Sequence, residues 1–441
     1  MPTDKPRQFD AHCHVFNHDV LKVRLIAALL TLLTELEESS GPISRVIKIR
    51  ERRANIRSIL EKIQVFLRVL FSTSESVFRL LKKKYQNLSP DNNFCFTPLM
   101  FDSEFCITID KETGKDPLDE MIETLDKKLH DLRGRHVKFF PNKFFHPFDM
   151  QLTFLSSMVI PKLREIQTLK AKGYKEQLDA IIDLKKEFPQ IVYPFLGVDP
   201  RREGIYEMVK IYFESVENPF TGIKLYAPNG FSPMDPRLMY IYEYCQSKNI
   251  PITAHCSYGG FATLDNELEV HGYFYDGEPK RIDGIIQLKV PAFKSGWVED
   301  RAYTINHPKL WDMVMQNYPS LKLNLAHFGV RAKAQSEEKM FEWTGYIIDM
   351  MRKYKNLYTD LSCFTSKYEL ELVKNKFLDQ KLSDTESVVE RVMYGSDFFL
   401  NLFFIDTIES YYKNFFSENV FTRDELNKFC INNPKKFLFK E

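Results

Sequence analysis

Two histidines one residue apart, His12 and His14, lie in the short apolar run Phe9-Asp10-Ala11-His12-Cys13-His14-Val15-Phe16. The run reads as a buried strand. Side chains along a strand alternate faces, so His12 and His14 point one way and Cys13 the other. Two imidazoles about 7 Å apart on one face can converge on a single ion. They can equally be core histidines satisfied by hydrogen bonds, and the pair alone does not choose between these. Further along, other reactive groups fall in or at the ends of apolar runs: Lys224 within Gly222–Tyr226, His255 closing Ile250–His255, His327 closing Leu321–His327 and Asp397 closing Arg391–Asp397. Several imidazoles and a carboxylate brought to one place form a metal site of the kind zinc prefers.

What could bring them together is set by the elements around them. Eight runs read as strands, near residues 9–16, 94–102, 191–199, 222–226, 250–255, 321–327, 357–362 and 391–397. Helical periodicity separates most of them. Asp235-Pro236 marks one helix start, with Asp235 as N-cap and Pro236 at the first helical position. Asn306-His307-Pro308 opens another, and Asn433-Pro434 the last. Eight strands alternating with helices predict an α/β protein, a (β/α)8 TIM barrel. A doubly wound open sheet is the alternative, but no Gly-rich phosphate loop follows the first strand. In a barrel, the C-terminal strand ends meet at one mouth, which gathers the residues named above.

The length suits one barrel domain over residues 1–441 with two additions: a helical insertion at 18–90 and a long irregular rim loop at 257–305. Further helices are expected at 118–132, 151–170 and 175–188, with a loop over 142–149. The 45–84 stretch is basic and reads as a solvated helix face. A formal net charge of +1 gives no argument for a nucleic-acid or membrane partner. Seven cysteines without CxxC pairs suit a reducing compartment. The apolar run Leu25–Leu33 is too short to span a bilayer. A cytoplasmic protein is the expectation.

The segments Asp10-Ala11-His12-Cys13-His14, Gly222-Ile223-Lys224-Leu225-Tyr226, Pro251-Ile252-Thr253-Ala254-His255, Leu325-Ala326-His327-Phe328-Gly329 and Tyr394-Gly395-Ser396-Asp397 together resemble the amidohydrolase superfamily. The resembling branch includes aminocarboxymuconate semialdehyde decarboxylase and related metal-dependent hydrolases. The resemblance implies that His12, His14, His255 and Asp397 bind one divalent metal, zinc first, which activates a water. It implies that Asp397 also moves the proton, that His327 orients the water or polarises the substrate carbonyl, and that Lys224 takes part in catalysis. Lys224 has two implied states: a cation paired with a substrate carboxylate, or a carbamate bridging two metals with His255 and His327 on the second. A cation beside a dication needs an anion between them in either case. Tyr226-Ala227-Pro228 and Gly329-Val330 depart from the branch, which often has His-Pro and Gly-Gly there.

These readings predict a metal-dependent hydrolase of an amide, ester or lactone of a small organic acid. A metal-dependent, non-oxidative decarboxylase (a lyase) of an aromatic or unsaturated acid is the enzymatic alternative, and a non-catalytic binding scaffold the alternative from another class. The expected partner is a small anionic molecule, and a homodimer is left open. His307 reads as structural, and His18, His130, His136, His146 and His271 as surface or loop residues. Asp102, Asp199, Arg201 and Arg202 are rim residues with either substrate or loop roles. Tyr273, Tyr275, Phe293 and Trp297 in the rim loop could lid the mouth or pack on the barrel side.

Overall fold

The computed structural model describes residues 7–15, 72–89, 93–102, 104–105, a few between 123 and 131, and 173–439 apart from 293, 332, 333, 335, 404 and 406. The helices expected over 18–71 and 151–170, most of 118–132 and the loop at 142–149 fall outside these residues. The chain divides into two compact units. One comprises Phe16–Thr73 and Ile107–Glu176, and the other Met1–Val15, Ser74–Cys106 and Gln177–Glu441. The second of these is a barrel.

Its strands are β1 (Gln8–Cys13), β2 (Phe94–Pro98), β3 (Phe195–Val198), β4 (Gly222–Leu225), β5 (Ile252–His255), β8 (Leu323–Ala326), β9 (Leu357–Asp360) and β10 (Val392–Met393). Between β5 and β8 lie β6 (Glu267–Tyr275) and β7 (Pro279–Gln287), which stand apart as a hairpin. Six strands run parallel in the order β10-β9-β8-β5-β4-β3, and β1 pairs with β2. Bridges Phe96–Val192 and Leu99–Phe195 join β2 to β3. The Ala11 amide donates to Tyr394 at 2.9 Å and the Asp397 amide to His12 at 2.8 Å, joining β1 to the β10 exit. The eight-stranded ring therefore closes, as the alternation of elements predicts. The barrel strands are buried along nearly their whole length, as parallel strands covered by helices must be.

The helices start where the chemistry places them. Asp235 accepts from the Arg237 amide at 2.9 Å ahead of Pro236–Lys248. His307 caps Pro308–Asn317, its Nδ1 accepting from Lys309 at 3.2 Å. The end of the expected 18–90 insertion, Ser74–Leu88, is a helix of the barrel unit. Among the described residues no helix is long and apolar enough to cross a membrane.

The barrel floor is hydrocarbon. Phe9, Ala11, Phe195, Tyr358, Met393 and Phe437 form one buried cluster. Phe437 comes from the C-terminal helix Asn433–Leu438 and stacks on Phe195 with centroids 6.3 Å apart.

Residues 257–305 are not the irregular loop that composition suggests. β6 and β7 pair in antiparallel register from Glu267–Gln287 to Tyr275–Pro279, and a helix, Trp297–Ile305, follows. The turn is Asp276-Gly277-Glu278, with Gly277 at φ 78°, a conformation glycine adopts without strain. Arg301, fully buried, staples the segment by donating to the carbonyls of Thr263, Asp265, Val290 and Trp297 and to Asn266 Oδ1. Tyr275 stacks on His307 with centroids 3.6 Å apart and planes at 9°.

Candidate metal centre

β1 does not alternate simply. Its pairing register slips between Asp10 and Cys13. Before the slip, Phe9 faces the floor cluster and Asp10 turns to the helix Ser74–Leu88, accepting from Tyr85 Oη at 3.0 Å. After it, His12 meets Asp360 on β9, and His14 reaches Asp397. A bulge of this kind re-aims a side chain. Asp10 also ties β1 to the β10 exit, accepting from the Ser396 amide at 2.9 Å. Burial pushes its carboxyl up to about 6. Gly395 permits the close approach, because a Cβ there would lie 2.6 Å from His12 Cβ.

Hydrogen bonds at Nδ1 fix both imidazoles. His12 Nδ1 lies 3.1 Å from Asp360 Oδ2, and His14 Nδ1 lies 3.0 Å from the Leu99 carbonyl. Both partners are acceptors, so in the neutral rings Nδ1 carries the proton and Nε2 presents a lone pair. Both lone pairs face one carboxylate oxygen: Asp397 Oδ1 lies 3.3 Å from His12 Nε2 and 3.1 Å from His14 Nε2. His12 Nε2 and Asp397 Oδ1 are buried without a hydrogen bond. Acceptors converging in a buried place repel unless a cation sits among them.

The titration behaviour agrees. Burial lowers His14 to about 4 and, with the neighbouring His12, His327 to about 4. Burial opposes ionisation of Asp397, but His12 and His14 outweigh it and hold the carboxyl well below its usual range. Burial also opposes a charge on His12, yet Asp360 raises its pKa, so the spot attracts positive charge. These residues fit a divalent ion.

His255 stands one contact away. Its Nδ1 lies 3.1 Å from His327 Nε2, and its Nε2 lies 3.0 Å from the Gly259 carbonyl and 3.2 Å from Ser257 Oγ. Residues 257–262 thus cover it, held by Tyr226 Oη, which accepts from the Phe261 amide at 2.8 Å. Lys224 is buried on β4 in register with Thr253, and its charge disfavours protonation of His14, His255 and His327. Asp360, Ser362 and Cys363 were not singled out by sequence. Asp360 holds His12, the His327 amide at 3.0 Å and Asn324 at 2.8 Å. Ser362 Oγ reaches His327 Nδ1 at 2.8 Å and His12 Nδ1 at 3.2 Å and bonds Asp360. Asp360 lies inside the 357–362 run and ends β9, a weaker form of the signal that picked out Asp397. His327, Cys363 and Asp397 have φ of 66°, 67° and 50°, strain of a kind that clusters at functional sites. The rim pairs are internal: Arg201 holds Asp199 at 2.7 Å, and Arg202 holds Asp102 at 2.7 Å and Glu104 at 2.8 Å.

A family model described as amidohydrolase matches residues 136–440. The chain belongs to the amidohydrolase family. This amidohydrolase is therefore an enzyme, and the match takes in Lys224, His255, His327, Asp360 and Asp397, while His12 and His14 precede it. Solved structures similar to it include a 4-oxalomesaconate hydratase from Rhodopseudomonas palustris, 11% identical over 98% of this chain and 95% of that one, with a TM-score of 0.43. A 2,6-dihydroxybenzoate decarboxylase from Rhizobium is 10% identical over 60% and 77%, with a TM-score of 0.38. A 5-carboxyvanillate decarboxylase from Sphingomonas paucimobilis is 11% identical over 59% and 70%, with a TM-score of 0.37. No curated protein matches the amidohydrolase chain.

Proposed function

We propose that this amidohydrolase is a metal-dependent hydrolase of an amide, ester or lactone of a small organic acid. The observation that carries the reading is the convergence of two Nε2 lone pairs on Asp397 Oδ1 in a buried place. His12, His14 and Asp397 would hold the ion, zinc by the chemistry of the donor set. When bound, a divalent ion lowers the pKa of water toward neutrality and polarises a carbonyl. Asp397, whose carboxyl is held well below its usual range, is the group to accept a proton from the attacking water and return it to the leaving group. His327, kept neutral by burial, can orient the water or the carbonyl. Lys224 supplies a buried cation for the carboxylate of an anionic substrate. Asp360 and Ser362 fix the rings of His12 and His327.

Decarboxylation of an aromatic or unsaturated acid is the second reading. A buried lysine on β4 whose charge reaches His14, His255 and His327 supports it, as a partner for the substrate carboxylate. The experiment offers lactones, amides and aromatic carboxylates to the metal-loaded enzyme and follows acid release and CO2 separately. Acid release without CO2 supports hydrolysis. CO2 release without hydrolysis overturns it in favour of the second reading.

A further inference from the structure

Asp397 shows its two oxygens to different neighbours. Oδ1 faces His12 and His14, whereas Oδ2 accepts from the Cys363 thiol at 2.6 Å. His327, Cys363 and Asp397 each offer a ligand atom, all within 4.8 Å of one another. His327 and Asp397 are buried, and Cys363 alone among the described cysteines is only partly so. Two nitrogen or oxygen donors beside a sulfur are the donor types of a thiophilic ion.

We propose that His327, Cys363 and Asp397 form a second metal position, joined to the His12–His14 position through the Asp397 carboxylate and selective for a thiophilic ion such as zinc or cobalt over magnesium or manganese. The proposal rests on the metal reading of His12, His14 and Asp397 and adds a second ion to it. On binding, the Cys363 thiol gives its proton to the buffer and its sulfur becomes a ligand. His327 yields one ring nitrogen from its present bond to Ser362 or His255. The thiolate and the shared carboxylate offset two of the positive charges that two dications bring beside Lys224. A carbamate on Lys224 would place a second ion differently, on His255 and His327. The sulfur separates the two arrangements.

Cobalt titration of the metal-free full chain tests this, because a thiolate on cobalt absorbs strongly in the near ultraviolet. The wild type should bind two cobalt ions per chain, with that absorption present. Cys363→Ser should bind one ion and show no thiolate band. Two ions without a thiolate band, or a band that persists in Cys363→Ser, overturns the second position. A single ion, lost in the His12→Gln/His14→Gln double variant, leaves the first position standing and overturns the second. No cobalt in the wild type overturns both. A measurement on the wild type alone removes any dependence on folding of the variant. Alkylation of Cys363 by iodoacetamide, mapped by mass spectrometry, should slow at least tenfold with zinc and not with magnesium. Equal rates with the two ions overturn the proposal.

Discussion

The two ends of one barrel are buried alike and packed by opposite rules. At the floor, Phe9, Phe195, Tyr358 and Phe437 satisfy one another by contact, and the cluster needs nothing more. At the mouth, His12 Nε2 and Asp397 Oδ1 are just as buried and make no hydrogen bond. Burial of hydrocarbon is favourable by itself, while burial of an unpartnered acceptor is costly and persists only if something else occupies it. The floor is thus built for stability and the mouth for a ligand.

The comparison breaks if either end behaves like the other. The largest expected effect is at the mouth. His12→Gln with His14→Gln should abolish activity while the metal-free protein stays folded with little change in melting temperature, since the glutamine amide can donate to Asp397 where an imidazole lone pair faced it. A thermal melt beside the assay checks this, and a large loss of stability would make the pair a structural one. At the floor, Phe437→Ala should cost about 3–5 kcal/mol by denaturant titration and leave metal content unchanged. Loss of metal there would erase the distinction between the ends.

His307 sharpens the contrast, because it is a buried histidine with ordinary work. Burial lowers it to about 3 against 6.5 in an unfolded chain. The unfolded chain therefore takes up the proton first as pH falls, so stability is full above about 6.5 and drains away toward about 3, by up to about 5 kcal/mol. His307→Asn keeps a helix cap and should flatten that pH dependence in urea titrations at several pH values. An unaltered slope would assign the acid sensitivity elsewhere. The smallest effect is expected at Asp360→Asn, which leaves the ligands in place but loosens the His12 ring. Metal affinity should fall about 10–100-fold in a competition titration with a chelator, without loss of the fold. No change would mean that Asp360 does not orient His12.

The barrel and most of its mouth were legible because strand ends carry their own signal. His12, His14, His255, His327 and Asp397 each close or end an apolar run, and the fold brings such ends together. What was illegible is partnership across the chain. Nothing local says that Asp360 will hold His12, 348 residues away, or that His255 will spend its nitrogens on His327 and the segment that covers it. The β1 bulge was hidden because it depends on pairing with β2, not on the residues of β1 alone. The hairpin at 267–287 carried a readable sign, Asp276-Gly277 at the turn. Its charged outer face and the interruptions at Gly272 and Gly284 masked the alternation.

If the lone pairs meeting at Asp397 Oδ1 hold a divalent ion, the metal content of the purified protein depends on His12 and His14. Elemental analysis of the protein purified without chelators, beside the His12→Gln/His14→Gln double variant, tests it directly. The wild type should carry at least one zinc-like ion per chain and the variant one fewer. Equal metal content in the two proteins, or none in the wild type even after metal is supplied, would contradict it.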